Sequence, residues 1–281
     1  AVVNRVRRLT GQKKAGHTGT LDPFATGVLP LALGEATKAI QFLDESQKEY
    51  RAVMRLGEST DTQDCTGKLL CQRDWQHLTL DKLDRVAREF TGPLQQLPPM
   101  YSAIKQSGVP LYRIARQGGD VKRDSRKILI DSLIIETVDL PDVTFSVRCS
   151  RGTYVRTLAS DIGESLGCGA HLVSLCRIRS GPFTLDSSVT VEQLEEIMDH
   201  GRLIDYLVSP YSLLSSYMGT LELNESSARR VSNGVAPGID SVKSGRWPEE
   251  GVRVLLQRDG VLLAVAEVIS AESVRLLRVF V

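Results

Sequence analysis

The chain has 281 residues, 42% of them hydrophobic, and its 35 Lys and Arg nearly balance 34 Asp and Glu, leaving a formal charge of +1. That is enough apolar content for a full core, while the run Val28 to Leu33 is broken by Pro30 and far too short for a bilayer, so no transmembrane segment is expected. The five cysteines (Cys65, Cys71, Cys149, Cys168 and Cys176) are odd in number and lack C-x-x-C spacing, which argues against a disulfide framework and a zinc site and for reduced thiols.

Val2, Val3, Val6 and Leu9 recur at helical spacing, but the chain opens inside this helix without a cap or an initiator Met. Sequence is therefore expected to be missing at the front, and any targeting signal with it. Arg5, Arg7, Arg8, Lys13 and Lys14 follow without an intervening acid. Next comes Gly16 to Gly27 (GHTGTLDPFATG), in which Pro23 pushes Asp22 out of the α region and the glycines permit tight backbone shapes. Asp-Pro also suits the start of a helix, yet a helix begun at Pro23 would meet Gly27 within about one turn, with Pro30 soon after. A presented carboxylate and a helix cap are the two readings of Asp22.

Tyr50, Ala52, Met54 and Leu56 alternate with Arg51 and Arg55, the period-two mark of a half-buried strand whose entrance holds Tyr50. Leu80, Leu83, Val86, Ala87 and Phe90 predict a helix entered by Thr79 and stopped at Gly92-Pro93. Residues 97–126 read as an irregular insertion, with Tyr101 and Tyr112 among Lys105, Arg113 and Arg116, a mixture suited to looped RNA. Lys122, Arg123, Arg126 and Lys127 form a second basic cluster, and Arg148, Arg151 and Arg156 a third; together they favour a polyanionic partner despite the small net charge. A strand through Val143, Phe145, Val147 and Cys149 runs into Arg151-Gly152-Thr153, after which Val155, Leu158, Ala159 and Ile162 change to helical spacing. Arg156 then sits in the first helical turn, where a cation opposes the helix dipole unless an anion answers it.

Thr190 with Gln193 makes a capping box for a helix carrying Leu194, Ile197 and Met198. From about residue 219 the texture turns to β: a short helix between Asn224 and Asn233-Gly234, strands from Val252 and Val261 joined through Asp259-Gly260, and a last strand from Leu276 to Val281. This divides the chain into a catalytic-sized domain, 1–218, and a compact β-rich appendage, 219–281.

The stretch GHTGTLDPFATGVLP (Gly16 to Pro30), Tyr50-Arg51, RGTYVRT (Arg151 to Thr157) and GCGAHL (Gly167 to Leu172) with Leu175 following resembles, in order and over nearly the whole chain, the bacterial tRNA pseudouridine-55 synthases of the TruB type. The resemblance implies an α/β (α+β) fold with a central, mainly antiparallel sheet and an active-site cleft, plus a C-terminal RNA-binding domain of the PUA type at 219–281. It also implies a lysine-proline-glycine strand that this sequence does not carry before Ala1.

By that resemblance Asp22 is the nucleophile or electrostatic stabiliser for converting uridine 55 of the tRNA T-loop to its C5-glycoside, attacking base C6 or ribose C1′. Arg156 is its ion-pair partner, and Tyr50 stacks on uracil and relays a proton. His17, Leu175, Tyr154 and Lys38 are the implied substrate contacts. The base would be flipped out of its stack to reach Asp22. No cofactor or metal is expected; the partner is the tRNA T-arm, with a monomer needing no protein partner, in the cytoplasm. The alternatives are a guide-RNA-dependent relative acting on ribosomal RNA, a non-catalytic RNA-binding or RNA-folding module, and a two-carboxylate hydrolase that would recruit Asp61 or Asp64.

Overall fold

A computed structural model describes residues 2–44 and 46–280. Contacts gather the chain into two compact units, one of Thr20–Leu29 with Asp44–Ser188 and one of the residues up to Gly19, Pro30–Leu43 and from Val189 onward. The first is built on a seven-stranded sheet. In spatial order its strands are Phe183–Thr184, Ala170–Ser180, Gln47–Leu56, Asp142–Ser150, Arg126–Asp139 and Gly92–Gln96, all antiparallel. The seventh, Thr26–Gly27, lies parallel to Ala170–Ser180.

The predicted alternation holds in the central strand, where Tyr50, Ala52, Met54 and Leu56 are buried and Arg51 is exposed. These residues join Val143, Phe145, Val147 and Cys149 of the neighbouring strand in one core. Helix Leu80–Glu89 covers it with Leu83, Val86 and Ala87, and helix Val155–Ser165 with Val155, Leu158, Ala159 and Ile162. Thr79 caps the first of these helices by accepting from the Lys82 N–H. Gly92-Pro93, read from sequence as a stop, also opens the edge strand Gly92–Gln96, a place where proline's missing N–H costs no ladder bond.

Strand Arg126–Asp139 carries no clean alternation in sequence. A register shift between Ile130 and Ser132 explains this, because it moves the buried set from Ile128 and Ile130 to Leu133 and leaves Ile134 exposed. The 97–126 segment contains a two-residue strand pair, Lys105–Gln106 with Val109–Pro110, and the short helix Leu111–Arg116.

In the second unit, helix Val2–Thr10 pairs through Arg5 with Glu195 of helix Val191–Asp199, whose N-terminus carries the Thr190–Gln193 capping box. Its five-stranded sheet runs in the order Val242–Ser244, Gly219–Leu223, Arg253–Arg258, Val261–Ser270, Ser273–Val279. Asp259 and Gly260 turn the hairpin with φ of 50° and 77°, as an Asp-Gly type I′ turn requires. The last strand ends at Val279; Val281, predicted to extend it, lies outside the described residues. Both faces of this sheet are covered. Val254, Leu256, Ala264 and Ala266 meet helix residues Ala228 and Val231, while Leu255, Leu262 and Val265 meet Ala39, Phe42, Leu43 and Leu214. Two-sided burial accounts for the unbroken apolar run Leu262 to Ala266. No helix among the described residues is long and apolar enough to cross a membrane.

Helix Val155–Ser165 approaches the strand start at Ala170 so closely that a Cβ on Gly163 would lie 2.2 Å from the Ala170 nitrogen. Alanine at 163 gains about 1 kcal/mol of helix propensity, but that is outweighed by an overlap with backbone that cannot swing aside. Gly163→Ala is expected to lower unfolding stability by about 2 kcal/mol net, read from urea denaturation.

Candidate active site

Asp22 sits in a loop, not at a helix start. The Ala25 N–H donates to the Asp22 carbonyl at 3.0 Å to close a turn, and the next element is the strand Thr26–Gly27, so the helix-cap reading falls. Gly27 has φ of 101°, and a Cβ there would stand 2.2 Å from the Arg177 carbonyl oxygen. Only glycine permits this contact, through which the Val28 N–H reaches that carbonyl at 2.8 Å and ties the loop to strand Ala170–Ser180.

Arg156, in the first turn of helix Val155–Ser165, is 3% exposed. Its Nε donates to Asp22 Oδ2 at 2.8 Å and its Nη2 to Oδ1 at 2.9 Å, a two-pronged pairing across 134 residues of chain. Nη1 donates to the Thr62 carbonyl at 2.7 Å and Nη2 also to the Tyr101 carbonyl at 2.9 Å. A second carboxylate, Asp64, brings Oδ2 to 3.6 Å from Nη1. The anion that the helix dipole demanded is thus supplied twice. Asp64 is itself fixed through Oδ1, which accepts from the Thr62 hydroxyl at 2.7 Å, the Thr66 hydroxyl at 2.6 Å and the Thr66 N–H at 2.9 Å.

Gln96 holds the helix entrance. Its side-chain carbonyl accepts from the Tyr154 N–H at 2.8 Å and its amide donates to the Tyr154 carbonyl at 3.1 Å, so a buried side chain does what a neighbouring strand would do. Tyr154 is the N-cap residue, and burial raises its hydroxyl, with Ser102 opposing. Tyr50 is buried at the strand position predicted for it, and burial pushes its hydroxyl up to about 12, against the pull of the Arg177 guanidinium; the Asp22 charge adds to the rise. Leu175 is buried in the same apolar cluster as Tyr50.

Of the seven residues singled out in the sequence, the structure gathers Asp22, Tyr50, Tyr154, Arg156 and Leu175 in one unit. His17 and Lys38 belong to the other. There His17 ends the strand Ala15–His17 and is exposed, while Lys38 pairs with Glu35 and donates to the Val279 carbonyl at 2.8 Å. Asp61 and Asp64, the acids a hydrolase would recruit, are committed otherwise: Asp61 accepts from the Lys68 N–H at 2.7 Å, and Asp64 faces Arg156. Sequence reading took Ser59 to Asp64 for a turn; the turn is confined to residues 61–63, because Ser59 and Thr60 belong to strand Glu58–Thr60, paired with Leu69–Gln72, and Asp64 bridges to Leu172. The hint of more was a carboxylate followed by Thr66, an acceptor with its own donor two residues on.

Residues 7–155 match the family described as TruB family pseudouridylate synthase (N terminal domain), and residues 156–214 match the tRNA pseudouridylate synthase B C-terminal domain. The tRNA pseudouridine synthase B of Geotalea uraniireducens (strain Rf4) is 56% identical over 268 residues, 95% of this chain and 86% of that protein. Its namesake from Geobacter sulfurreducens (strain ATCC 51573 / DSM 12127 / PCA) is 52% identical over 287 residues, 99% and 94% of the two chains. Among solved structures, a chain of a Cbf5-Nop10-Gar1 complex superposes with a TM-score of 0.72 at 26% identity, covering all of this chain and 80% of that one. The chain belongs to the TruB family of pseudouridylate synthases.

Removing the guanidinium leaves Asp64, whose side chain is 6% exposed, without its cation, whereas Asp22 at 31% keeps access to water. Arg156→Ala is therefore expected to cost about 3–5 kcal/mol of stability, and Asp22→Asn clearly less, when thermal and urea unfolding of the two variants are compared.

Proposed function

We propose that this protein isomerises uridine 55 in the T-loop of tRNA to pseudouridine, with Asp22 as the nucleophile. The two-pronged Arg156–Asp22 pair carries this reading: it aims both carboxylate oxygens and leaves them partly open to a ligand. Relatives named tRNA pseudouridine synthase B at 44–56% identity over at least 95% of this chain support the substrate.

The reaction is an isomerisation and needs no co-reactant. The N1–C1′ bond breaks while Asp22 holds one of the fragments or stabilises their separation, the uracil turns, C5 bonds to C1′, and the proton leaves C5 and returns to N1. Tyr50, kept as the neutral phenol by burial, serves as a stacking face and a proton relay. Leu175 and Tyr154 complete the apolar walls for the base, and His17 and Lys38 are assigned to the RNA around it. An everted uridine costs a few kcal/mol in lost stacking, recovered through phosphate contacts by the basic clusters and by the five-stranded sheet, Gly219 to Val279, acting as an RNA-binding surface. The enzyme acts in the cytoplasm as a monomer, without a guide RNA or a partner protein.

The deciding experiment incubates the purified protein alone with an unmodified T-arm stem-loop and maps pseudouridine by chemical labelling. Modification at position 55 is expected. Its absence, with modification appearing only when a guide RNA is added, would transfer the chain to the guide-dependent class. Asp22→Asn is expected to bind the stem-loop within about threefold of wild type and to lose at least about a thousandfold in rate. Arg156→Lys is expected to cripple turnover as well, since an ammonium cannot form the paired bonds of a guanidinium.

A further inference from the structure

Arg177 lies on strand Ala170–Ser180, is 1% exposed and is among the largest fully buried side chains of the molecule. Its guanidinium reaches both ends of the loop that carries Asp22. Nε donates to the Val28 carbonyl at 2.8 Å, and Nη1 donates to the Thr20 carbonyl at 3.2 Å. The same residue meets the loop through its backbone, by the Val28 N–H bond and the close approach of Gly27. On the other side Arg177 stands opposite Tyr50 in the strand register, and its guanidinium opposes the rise that burial gives the Tyr50 hydroxyl. One planar group therefore holds the loop before Asp22 and the loop after it, from the strand position directly across from the tyrosine.

A charge buried this deeply is a poor way to fill space. Desolvating a guanidinium is costly, and an apolar residue of similar volume often leaves a fold as stable or more so. What the guanidinium offers is a rigid fork of five donors that can hold several acceptors at fixed angles, which an ammonium on a flexible stem does not reproduce. We propose that Arg177 is a positioning residue for pseudouridine formation: it sets the loop presenting Asp22 and the hydroxyl of Tyr50 in fixed relation to each other. This rests on the reading of Asp22 and Tyr50 as the reacting groups.

The test uses the full chain with Arg177→Lys, Tyr50→Phe and the double variant. It measures single-turnover pseudouridine formation on the T-arm stem-loop, affinity for that RNA, and hydrogen exchange of the amides in 20–28. Arg177→Lys is expected to lower the single-turnover rate at least about a hundredfold, as a small misplacement of reacting groups does, with affinity within about threefold of wild type. The 20–28 amides should exchange faster while those of strand Gln47–Leu56 do not. In the double variant, removing the Tyr50 hydroxyl on top of Arg177→Lys should cost much less than it does alone.

A rate within threefold of wild type overturns the proposal. So does a rate loss matched by an equal loss of affinity, or faster exchange throughout the sheet. Should Arg177→Lys fail to fold, Tyr50→Phe decides: it retains Arg177 and the core volume, and unchanged exchange at 20–28 in that variant overturns the coupling. The exchange measurements need no RNA. A wild-type protein that makes no pseudouridine would sink the functional assignment while leaving these arms to judge Arg177.

Discussion

A guanidinium held at 3% exposure has to be answered by fixed negative charge, and that demand from Arg156 organises the neighbourhood of the site. Four separate stretches converge on it: the Asp22 loop, the Thr62–Asp64 turn, the Tyr101 carbonyl of the insertion, and the helix that carries Arg156 itself. None is a stable unit alone. The loop has no helix behind it, and the turn draws its rigidity from threonine hydroxyls on Asp64. Because the desolvation cost falls on the cation whether or not every partner is in place, the arrangement is close to all-or-none, and the partners define one geometry for Asp22.

The sheet supplies the second constraint, through register. Tyr50 is paired with Val147 on one side and Arg177 on the other, and its burial alternates with the exposure of Arg51. A slip of one residue would send Tyr50 to the opposite face and replace it there with arginine, so the same apolar alternation that builds the core also fixes the hydroxyl. Helix Val155–Ser165 is fixed against this sheet by Gly163 at one point and by Gln96 on Tyr154 at another, which together leave little play for Arg156.

Much of this was legible in the chain. Alternation gave the Gln47–Leu56 and Asp142–Ser150 strands, the capping box and Asp-Gly gave a helix and the hairpin of the second unit, and a cation at a helix start announced that an anion must come from elsewhere. Strand Arg126–Asp139 was hidden because a bulge changes the buried parity halfway along it. Asp64 was hidden because a run of Ser, Thr and Asp reads as solvated turn, and only the fold brings Arg156 against it. Arg177 was hidden because its partners are main-chain carbonyls, which leave no trace in residue identity. Its one visible sign is an arginine two places after buried Leu175, on the inward parity of a strand.

The sharing of Arg156 also bears on how much of the Asp22 carboxylate stays open. A carboxylate gripped alone by a buried cation would be well ionised but a weak nucleophile, because the charge it must donate is already engaged. Here the guanidinium is divided among Asp22, Asp64 and two carbonyls, and each Asp22 oxygen accepts a single bond from it. Each oxygen therefore keeps a lone pair outside the pairing, on a side chain that remains 31% exposed. Asp64 takes up part of the positive charge from a side chain that, at 6% exposure, faces inward. The second carboxylate thus separates two demands that conflict in a simple ion pair: fixing the direction of the Asp22 carboxylate, and leaving its oxygens open to a further partner.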